Sequence, residues 1–579
     1  MQDFKSAWQG RVAGVLNTLM AEAGLPGSLD PSQIIVELPP KPEMGDLGFP
    51  MFAYARTLCK SPPQIAQLVA EKLSGTGAGT VFVLGPYVNI RLDRGQTAAA
   101  ILEEEALERP KTLTGRRIMV EFSSPNTNKP LHLGHLRNDA LGESISRILA
   151  ACGAELRKVC IINDRGVHIC KSMLAYREHG NGTTPETEGV KGDHFVGRWY
   201  IQFSKMAAGD KSAEERAQEM LRKWEAGDPE TVALWKKMNA WTVEGMKETY
   251  RRTGVSFDRY YFESQTYLVG RAEVLKGLDR GIFYREADGS IQIDLSAENL
   301  DKKVLLRKDG TSIYITQDIG TAIYRHQDWP FDRLVYVVGS EQNYHFQVLF
   351  SILQKLGFEW AKDLYHLSYG MVNLPEGRMK SREGTVVDAD DLIDRLRDMA
   401  LEEIREKERE EAVGDPASVA ERIALGALHY YLLSASPAKD MLFDPEESLS
   451  INGDTGPYLQ YMGARICALL RKADDSAVPG PGNTPDYSLL GNDEEWEVIK
   501  AVAGYGEAVA EAADKMDPSL LAAYLYRLSR AFSRFYHDCP ILNAENPELA
   551  TARLALCRAV ERILRDALQL ICIPFLETM

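Results

Sequence analysis

The chain lacks several features that would assign it to a class of protein at once. It has no apolar run long enough to cross a bilayer, and its amino-terminal stretch contains no apolar signal core. Its eight cysteines include no Cys-x-x-Cys pair, which argues against both a zinc site and a disulfide framework. No Gly-Lys dipeptide occurs, so there is no Walker A loop. These absences predict a cytoplasmic protein that does not enter a membrane and has no structural metal.

Length and composition describe an ordinary folded chain. Its 579 residues are too many for one core, so several domains are expected. With 45% hydrophobic and 26% charged residues, the chain is neither disordered nor fibrous. The net charge of −16 argues against a nonspecific nucleic-acid binder, whose phosphate contacts need many cations. A selective binder with a local basic surface stays compatible with that charge.

The most informative stretch is a strand, a loop and a helix around two histidines. Residues 118–122 form a short, mostly apolar run of buried-strand length, and two prolines then prevent regular structure until about residue 131. A helix follows, whose apolar residues recur on one face: Leu141, Ile145, Ile148, Leu149 and Cys152. His132 and His135 therefore flank Gly134 at the amino end of this helix. Free N–H groups at that end favour an anion such as a phosphate.

This stretch resembles the first signature of class I aminoacyl-tRNA synthetases, and its pattern SSPN-x-x-KP-x-H-x-GHLR resembles the arginyl-tRNA synthetases in particular. The resemblance implies ligation of L-arginine to tRNA(Arg) through an arginyl-adenylate, with ATP and Mg²⁺ as the substrate complex. It also implies that arginine activation waits for tRNA. His132 and His135 would then stabilise the charge that grows on the α-phosphate. With Gly134 they would form part of the ATP site, and His132 would also contact arginine.

We expect a multidomain fold of α/β and α parts. Residues 1–110 are expected to form an α/β unit that, by the resemblance, contacts the tRNA D-loop. Residues 111–400 alternate strands and helices, which predicts a Rossmann-like parallel-sheet catalytic domain, and the polar segment 180–300 is interpreted as its connecting insertion. Further strands are predicted at residues 159–162, 312–316, 334–338 and 366–372. Residues 401–579 carry apolar helical faces typical of a bundle, which in the family binds the anticodon.

One candidate tRNA contact lies near the end of the amino-terminal unit. Residues 85–90, Gly-Pro-Tyr-Val-Asn-Ile, resemble a run of the family that touches the outer corner of tRNA. The resemblance puts Tyr87 where an aromatic ring stacks on an exposed base, and Asn89 where an amide reads the edge of a base. On the residues alone, two ordinary strand positions are an equally good interpretation.

A second candidate contact lies in the helical region. Residues 454–461, Asp-Thr-Gly-Pro-Tyr-Leu-Gln-Tyr, resemble the start of the anticodon-binding domain of arginyl enzymes, and the chain ends in methionine as theirs commonly does. The resemblance makes Tyr461, Tyr536 and Met579 candidates for contacts with splayed anticodon bases. Packing inside the bundle is an equally good interpretation of Tyr461.

A second motif, residues 377–384, is a cationic, glycine-bounded stretch after the last predicted strand. It resembles the Lys-Met-Ser-Lys-Ser loop of class I synthetases, although a solvated charged loop would explain it equally well if it stood alone. Ser381 occupies the position of the second lysine of that loop, so another cation must replace it. We assign Lys129 first and Arg382 second, and Lys380 is also available. The resemblance puts three loop residues at the ATP: Met379, Lys380 and Ser381.

Recognition of a guanidinium requires carboxylates, because a planar cation with five fixed donors is best matched by paired oxygen acceptors. Glu121 ends the first strand and Asp318 begins a predicted helix, both at the carboxyl edge of the sheet where ligands bind. Tyr314 precedes Asp318 by four residues, as in the family pattern Tyr-x-x-x-Asp. A helix N-cap is the alternative role for Asp318. For the α-amino and α-carboxylate groups the resemblance nominates three residues: Ser124, Asn126 and Gln342.

Two other functions stay open from the sequence. A nucleotidyltransferase would share the histidine motif and the nucleotide fold, but it would need neither the second cationic stretch nor an added helical domain. A noncatalytic tRNA-binding paralogue would not need the residues of the site, yet His132, Gly134, His135, Glu121 and Asp318 are all present. We expect a monomer, and Mg²⁺ that enters with ATP because no carboxylate cage is visible in the sequence.

Overall fold

The structure is a computed structural model that describes residues 2–75, 79–103, 109–373, 387–475 and 485–579. Contacts within the chain divide it into two compact units. The first unit contains Met1–Glu108, Met462–Ala508 and Tyr524–Asp566. The second unit contains Arg109–Tyr461, Val509–Ala523 and Ala567–Met579. The division into three domains, with boundaries near residues 110 and 400, stays a prediction.

The described residues form the following strands and helices. The strands are β1 (Leu47–Pro50), β2 (Gly79–Leu84), β3 (Tyr87–Leu92), β4 (Arg117–Glu121), β5 (Glu155–Ile162), β6 (Arg259–Phe262), β7 (Tyr284–Arg285), β8 (Ile291–Ile293), β9 (Lys303–Leu306), β10 (Arg333–Gly339), β11 (Leu364–Tyr369), β12 (Val372–Asn373) and β13 (Met441–Leu442). The first helices are α1 (Gln2–Glu22), α2 (Ala55–Leu58), α3 (Pro62–Leu73), α4 (Arg94–Glu103), α5 (Leu133–Ala151), α6 (Val167–His179), α7 (Pro185–Glu188), α8 (Gly192–Gly209), α9 (Ala213–Glu225), α10 (Pro229–Thr253) and α11 (Glu263–Asp279). The later helices are α12 (Tyr314–Asp328), α13 (Asn343–Lys355), α14 (Ala389–Glu406), α15 (Glu410–Val413), α16 (Pro416–Leu433), α17 (Pro445–Ser448), α18 (Gly456–Asp475), α19 (Asp493–Ala503), α20 (Tyr505–Asp514), α21 (Ser519–Asp538) and α22 (Pro547–Leu570).

A five-stranded parallel sheet with the order β11-β10-β4-β5-β6 lies at the core of the second unit. The central strand is β4, and its last residue, Glu121, pairs with Tyr336 of β10 and Val159 of β5. Its apolar residues are fully buried, as expected for a parallel strand covered on both faces. All five strands end at one edge, so the residues that follow them meet there. The predicted α/β class is confirmed.

Helix α5 packs against this sheet and carries the histidine motif at its amino end. His132 is its N-cap residue, and the predicted apolar face is buried. Gly142 allows a close approach to the segment after β4, because a Cβ at this position would lie 2.2 Å from Cγ of Phe122. The helix is therefore held at a short distance from the edge where the strands end.

Two sequence predictions for this unit need correction. Residues 312–316 do not form a strand, because α12 begins at Tyr314 with Ile313 as its N-cap residue. The β-branched residues favour a strand locally, but α12 packs so tightly on α11 that a Cβ on Gly270 would lie 1.7 Å from the carbonyl oxygen of Thr316. Tertiary packing overrides the local preference. The fifth strand is instead β6, which lies inside the segment interpreted as the connecting insertion.

The amino-terminal part of the first unit is a three-stranded antiparallel sheet with the order β1-β3-β2. Gly45 has a φ of +88°, and a Cβ there would lie 2.7 Å from the carbonyl oxygen of Ile90, so this position requires glycine. Asp46 then accepts hydrogen bonds from the N–H of Leu92 at 2.9 Å and from the indole of Trp496 at 2.7 Å. This aspartate therefore joins β3 to α19 within the unit.

Helices dominate the rest of the chain. The apolar faces predicted after residue 401 lie on α16, α18, α21 and α22, and their residues are buried. The helical nature of the carboxy-terminal region is therefore confirmed. In the ranges that the structure describes, no helix is both long enough and apolar enough to cross a membrane.

Candidate active site

Two cavities lie at the carboxyl edge of the sheet in the second unit. The first cavity has a volume of about 1010 Å³ and the second cavity about 530 Å³. Lys129 and His132 line both, so the two cavities meet at the histidine motif. Pockets for a single small ligand typically measure about 300–1,000 Å³, so the first cavity has room for more than arginine alone.

The backbone holds both histidines at the amino end of α5. Nδ1 of His132 accepts a hydrogen bond from the N–H of Gly134 at 3.1 Å, and Nδ1 of His135 accepts one from the N–H of His132 at 3.2 Å. A ring nitrogen that accepts is unprotonated, so the proton of each neutral imidazole lies on Nε2. The two ring centroids are 3.9 Å apart. Capping of the helix therefore produces two neighbouring Nε2–H donors.

Both imidazoles are neutral at physiological pH. Burial, followed by the charge of Lys129, lowers the pKa of His132 to about 4. Burial also holds the pKa of His135 well below its usual value, and His132 and Lys129 add to this effect. The pKa of Lys129 is lowered by burial as well, and its ammonium has no ion-pair partner in the part of the chain that is described. The motif thus combines two neutral donors with one uncompensated cation.

Tyr314 and Asp318 lie one turn apart on α12 and both line the first cavity. Tyr314 is 80% exposed, and the side chain of Asp318 is 41% exposed. Nε2 of His345 donates a hydrogen bond to Oδ2 of Asp318 at 2.6 Å. Because α12 begins at Tyr314, Asp318 lies in the second turn, and the alternative role as a helix N-cap is wrong. Both side chains face a cavity that a ligand can enter.

The first cavity contains another carboxylate, Glu263, which the sequence analysis did not single out. Burial raises the pKa of Glu263 to about 7; Arg165 opposes this shift, and Asp164 and Asp318 add to it. Glu263 comes directly after β6, and Glu121 is likewise the last residue of β4. An acidic residue at the end of a strand was therefore the sequence signal that could have identified Glu263. It was missed because β6 was not recognised as a strand of the sheet.

Glu121 is not among the residues that line either cavity. Its carboxylate accepts hydrogen bonds from Nη1 of Arg325 and, at 3.2 Å, from Oγ of Ser124. Glu121 is 6% exposed and Arg325 is 1% exposed, so they form a buried ion pair between β4 and α12. The contact predicted between Glu121 and a substrate guanidinium stays a prediction, and here this carboxylate holds a guanidinium of the chain itself.

Residues of the turn after β4 line both cavities. Ser123 and Ser124 have φ angles of 69° and 48°, a left-handed conformation that costs non-glycine residues on the order of 1 kcal/mol each. The N–H of Ser123 donates to Oδ1 of Asn138 at 2.5 Å, which helps to hold this turn. Ser124 lines the second cavity and Asn126 lines the first.

The second cavity takes much of its wall from the ends of strands. Residues 337–339 of β10 line it, together with Tyr369, Met371, Val372 and Asn373. The candidate residues Ser124, Gly134, His135 and Gln342 also line it. A cavity at the amino end of α5, where the helix dipole is positive, is suited to a nucleotide phosphate.

The second cationic motif lies outside the described residues. The roles assigned to Met379, Lys380, Ser381 and Arg382 therefore stay predictions. Described chain resumes at residue 387, and Asp388 lines the first cavity and caps α14.

A charged cluster borders the first cavity. Ligand atoms of Asp193, His194 and Asp390 lie within 4.8 Å of one another, a spacing that a metal ion could use. However, Nζ of Lys191 lies 3.2 Å from Oδ2 of Asp193 and 2.6 Å from Oδ2 of Asp390. Because this ammonium already supplies positive charge, we interpret the cluster as an ion-pair network that joins α8 to α14.

The two candidate tRNA contacts of the amino-terminal sheet differ in accessibility. Tyr87 is partly buried, and its ring centroid lies 5.9 Å from that of Phe52, which is 56% exposed. Asn89 is only 2% exposed, and its Nδ2 donates to the carbonyl of Met44 at 2.8 Å. Asn89 therefore supports a turn in this structure, whereas Tyr87 belongs to a partly exposed aromatic pair.

The candidate anticodon contacts lie in different units. Tyr461 belongs to the second unit and is 37% exposed. Tyr536 belongs to the first unit, where the guanidinium of Arg465 lies 4.0 Å from its ring centroid. Met579 is partly buried, and its carbonyl accepts a hydrogen bond from Arg409 at 3.5 Å. The contacts of these three residues with tRNA stay predictions.

Comparisons with known proteins agree along the chain. Residues 97–445 match the family described as tRNA synthetases class I (R), catalytic domain. Residues 459–579 match the DALR anticodon binding domain, and residues 7–92 match the arginyl tRNA synthetase N terminal domain. An arginine–tRNA ligase of Treponema denticola is 56% identical, with 100% of each chain covered, and that of Treponema pallidum is 55% identical over the same shares.

A solved structure, the Thermus thermophilus arginyl-tRNA synthetase, is 27% identical with a TM-score of 0.81, and the match covers 98% of this chain and 99% of that one. The parallel sheet and the paired histidines thus belong to a class I aminoacyl-tRNA synthetase. Within that class the chain belongs to the arginyl-tRNA synthetases, and it ligates arginine to tRNA. A nucleotidyltransferase would not carry all three domain families, so this alternative does not hold.

Proposed function

We propose that the first cavity binds arginine, that the second binds ATP, and that the reaction takes place where they meet. The observation that carries this proposal is that Lys129 and His132 line both cavities. The arginine carboxylate attacks the α-phosphorus of ATP, which gives arginyl-adenylate and releases pyrophosphate. Mg²⁺ enters with ATP as part of the substrate complex.

The two histidines act as neutral donors during this step. Their Nε2–H groups point away from the backbone N–H groups that occupy Nδ1, and they donate to the α-phosphate as its negative charge grows. Lys129 and the cations of residues 377–384 hold the leaving pyrophosphate. No acidic side chain of the described chain forms an ion pair with Lys129, so its positive charge is available to the triphosphate.

Specificity for arginine comes from two carboxylates on neighbouring helices. Asp318 of α12 and Glu263 at the start of α11 both line the first cavity, and burial raises the pKa of Glu263, with the charge of Asp318 adding to this shift. Two acceptors match the fork of a guanidinium, with Tyr314 as a further hydrogen-bond partner. Asn126, Ser124 and Gln342 contact the α-amino and α-carboxylate groups near the junction of the cavities.

The part of the first cavity that lies next to the insertion remains available to the 3′ end of tRNA. Arginine fills only a fraction of about 1010 Å³, and α6 and α8 line the remainder. The 3′-terminal adenosine must bring a ribose hydroxyl to the arginyl group, and this remainder is a route to the junction. Tyr87 contacts the D-loop, Asn89 holds the neighbouring turn through Met44, and Tyr461, Tyr536 and Met579 contact the anticodon.

We further propose a cytoplasmic monomer. None of the eight cysteines, all of which lie in the described ranges, forms a disulfide, which suits a reducing compartment. Light scattering of the purified protein tests the oligomeric state directly, and a mass of twice that of one chain would contradict the proposal.

The decisive experiment is ATP–pyrophosphate exchange with and without tRNA(Arg), using arginine, lysine and citrulline in turn. We expect exchange with arginine when tRNA is present, and little with the other two amino acids, because neither offers a charged fork. Absence of exchange under all conditions, with tRNA still bound, would contradict the proposed reaction at the junction of the two cavities. Equal exchange with lysine would contradict the paired-carboxylate site.

A further inference from the structure

Arg137 is a fully buried cation that lies two residues after His135 on α5. It is 0% exposed, and no carboxylate of the described chain forms an ion pair with it. Burial is the main cause that lowers its pKa, and Tyr369 and Asp440 oppose the shift, so the guanidinium stays charged. An isolated buried charge is costly unless hydrogen bonds compensate it. A buried arginine that has no ion pair is therefore expected to hold particular segments of the chain together by hydrogen bonds.

Four backbone carbonyls compensate the charge, and they come from two distant segments. Nη1 donates to the carbonyls of Gly370 at 2.7 Å and Met371 at 3.0 Å. Nη2 donates to the carbonyls of Pro437 at 3.2 Å and Lys439 at 2.7 Å. The planar fork of arginine reaches both segments at once, which the single ammonium of lysine cannot do in the same geometry.

The first of these segments is a wall of the second cavity. Met371, Val372 and Asn373 line that cavity, and β12 pairs with β13 of the second segment. Oδ1 of Asp440 accepts from the N–H of Met371 at 2.7 Å, which adds another link between the two segments. Arg137 therefore joins this cavity wall to the helix whose first turn carries the two histidines.

The neighbouring residue Asn138 makes a related connection. Its Nδ2 donates to the carbonyl of Val337 at 2.7 Å and to the hydroxyl of Tyr369 at 3.0 Å. The ring of Tyr369 also lies 5.9 Å from the guanidinium of Arg137. Arg137 and Asn138, which are consecutive on α5, thus fix the ends of the adjacent strands β10 and β11 and the segment after β11 at the second cavity.

We propose that Arg137 is the positioning residue of the second cavity: it sets the distance between the nucleotide-binding wall and the catalytic histidines. This rests on the proposed binding of ATP in that cavity. Arg137 touches no substrate itself. It acts by keeping the 369–373 segment in register with the amino end of α5, so that a nucleotide held by the wall presents its α-phosphate to His132 and His135.

The test is Arg137→Lys, assayed by ATP–pyrophosphate exchange in the presence of tRNA. Loss of part of a charged hydrogen-bond set should raise the KM for ATP about tenfold, with the KM for arginine changed less than twofold. Asp440→Ala removes an exposed side chain from the same connection and should raise only the KM for ATP, by about threefold. This second variant is not expected to impair folding.

Arg553→Lys is the matched control, because Arg553 is also buried but lies in the first unit, paired with Glu495. We expect it to lower the melting temperature while the KM for ATP stays unchanged. An Arg137→Lys variant with the behaviour of this control would show that Arg137 only stabilises the fold. A rise in the KM for arginine instead would show that the second cavity does not bind the nucleotide. Absence of exchange by the unsubstituted protein would refute the proposed function, which is a separate result.

Discussion

The two cavities of the second unit differ in what their walls are made of. The first cavity presents side-chain charges from separate helices, including Asp318 of α12 and Glu263 of α11. The second cavity takes much of its wall from strand ends. Arg137 and Asn138 of α5 hold these strand ends in place by hydrogen bonds. A charged substrate with one distinctive group can be selected by a few carboxylates, whereas a nucleotide is selected by the shape of a rigid wall. Substitutions in the two cavities should therefore have separable effects.

The largest expected effect concerns the charge of the first cavity. Asp318→Asn leaves one donor pair of the guanidinium without a charged acceptor, which should cost about 3 kcal/mol in the complex. The KM for arginine should rise a hundredfold or more, and discrimination against citrulline should weaken, while the KM for ATP changes little. Steady-state exchange kinetics measure all three quantities. An unchanged KM for arginine would show that the guanidinium binds elsewhere.

His132→Asn tests the residue that both cavities share. Because the imidazole donates most strongly when charge develops on the α-phosphate, its loss should lower the rate of adenylate formation by about a hundredfold. The affinity for tRNA should stay within twofold of the original, since the proposed D-loop and anticodon contacts do not involve His132. Single-turnover kinetics and a filter-binding assay provide the two measurements. A parallel loss of tRNA affinity would count against a role confined to the transition state.

Lys129→Ala tests whether Lys129, which lines both cavities, contributes more to kcat/KM for ATP than the cations of the second motif do. Lys129 lines both cavities and is partly desolvated, so its charge should act on the pyrophosphate with little screening by water. We expect kcat/KM for ATP to fall about thirtyfold, against about threefold for Lys380→Ala. Exchange assays of the two variants side by side give the comparison. The reverse order would move the main cation into residues 377–384.

How much of this was predictable from sequence depends on how local each interaction is. The histidine pair was predictable, because a strand, two prolines and a capped helix all lie within about thirty residues of each other along the sequence. The parallel sheet followed from the alternation of strands and helices. The role of α5 in positioning β12 was not predictable, since its partners lie more than two hundred residues away, at Gly370 and Lys439.

The failures have equally specific causes. Residues 312–316 look like a strand, but α12 begins at Tyr314 and packs on α11, where Gly270 allows a close approach to Thr316. β6 is short and partly polar, so nothing in its pattern distinguishes it from the rest of the insertion. Glu263, which follows β6, was therefore not recognised as a candidate site residue. The contact of Glu121 with a substrate guanidinium stays a prediction; what the sequence did not reveal is that Arg325, 204 residues further along the chain, donates a hydrogen bond to the carboxylate of Glu121.

The smallest predicted effect is a pH dependence that belongs to the first cavity alone. Burial raises the pKa of Glu263 to about 7, so a large fraction of this carboxyl is protonated in the free protein at pH 6. Only the ionised form can accept both donors of a guanidinium, and arginine binding must then release a proton. The KM for arginine should therefore rise about tenfold between pH 8 and pH 6, because each unit below the pKa costs about a factor of ten.

The same titration should leave the second cavity unaffected. His132, which lines it, has a pKa of about 4 and stays neutral throughout this range, so the KM for ATP should change less than twofold. Glu263→Gln is the matched variant: it should raise the KM for arginine about tenfold at pH 8 and remove most of its pH dependence. A pH profile of the variant that is still as steep as that of the original protein would assign the titration to another group.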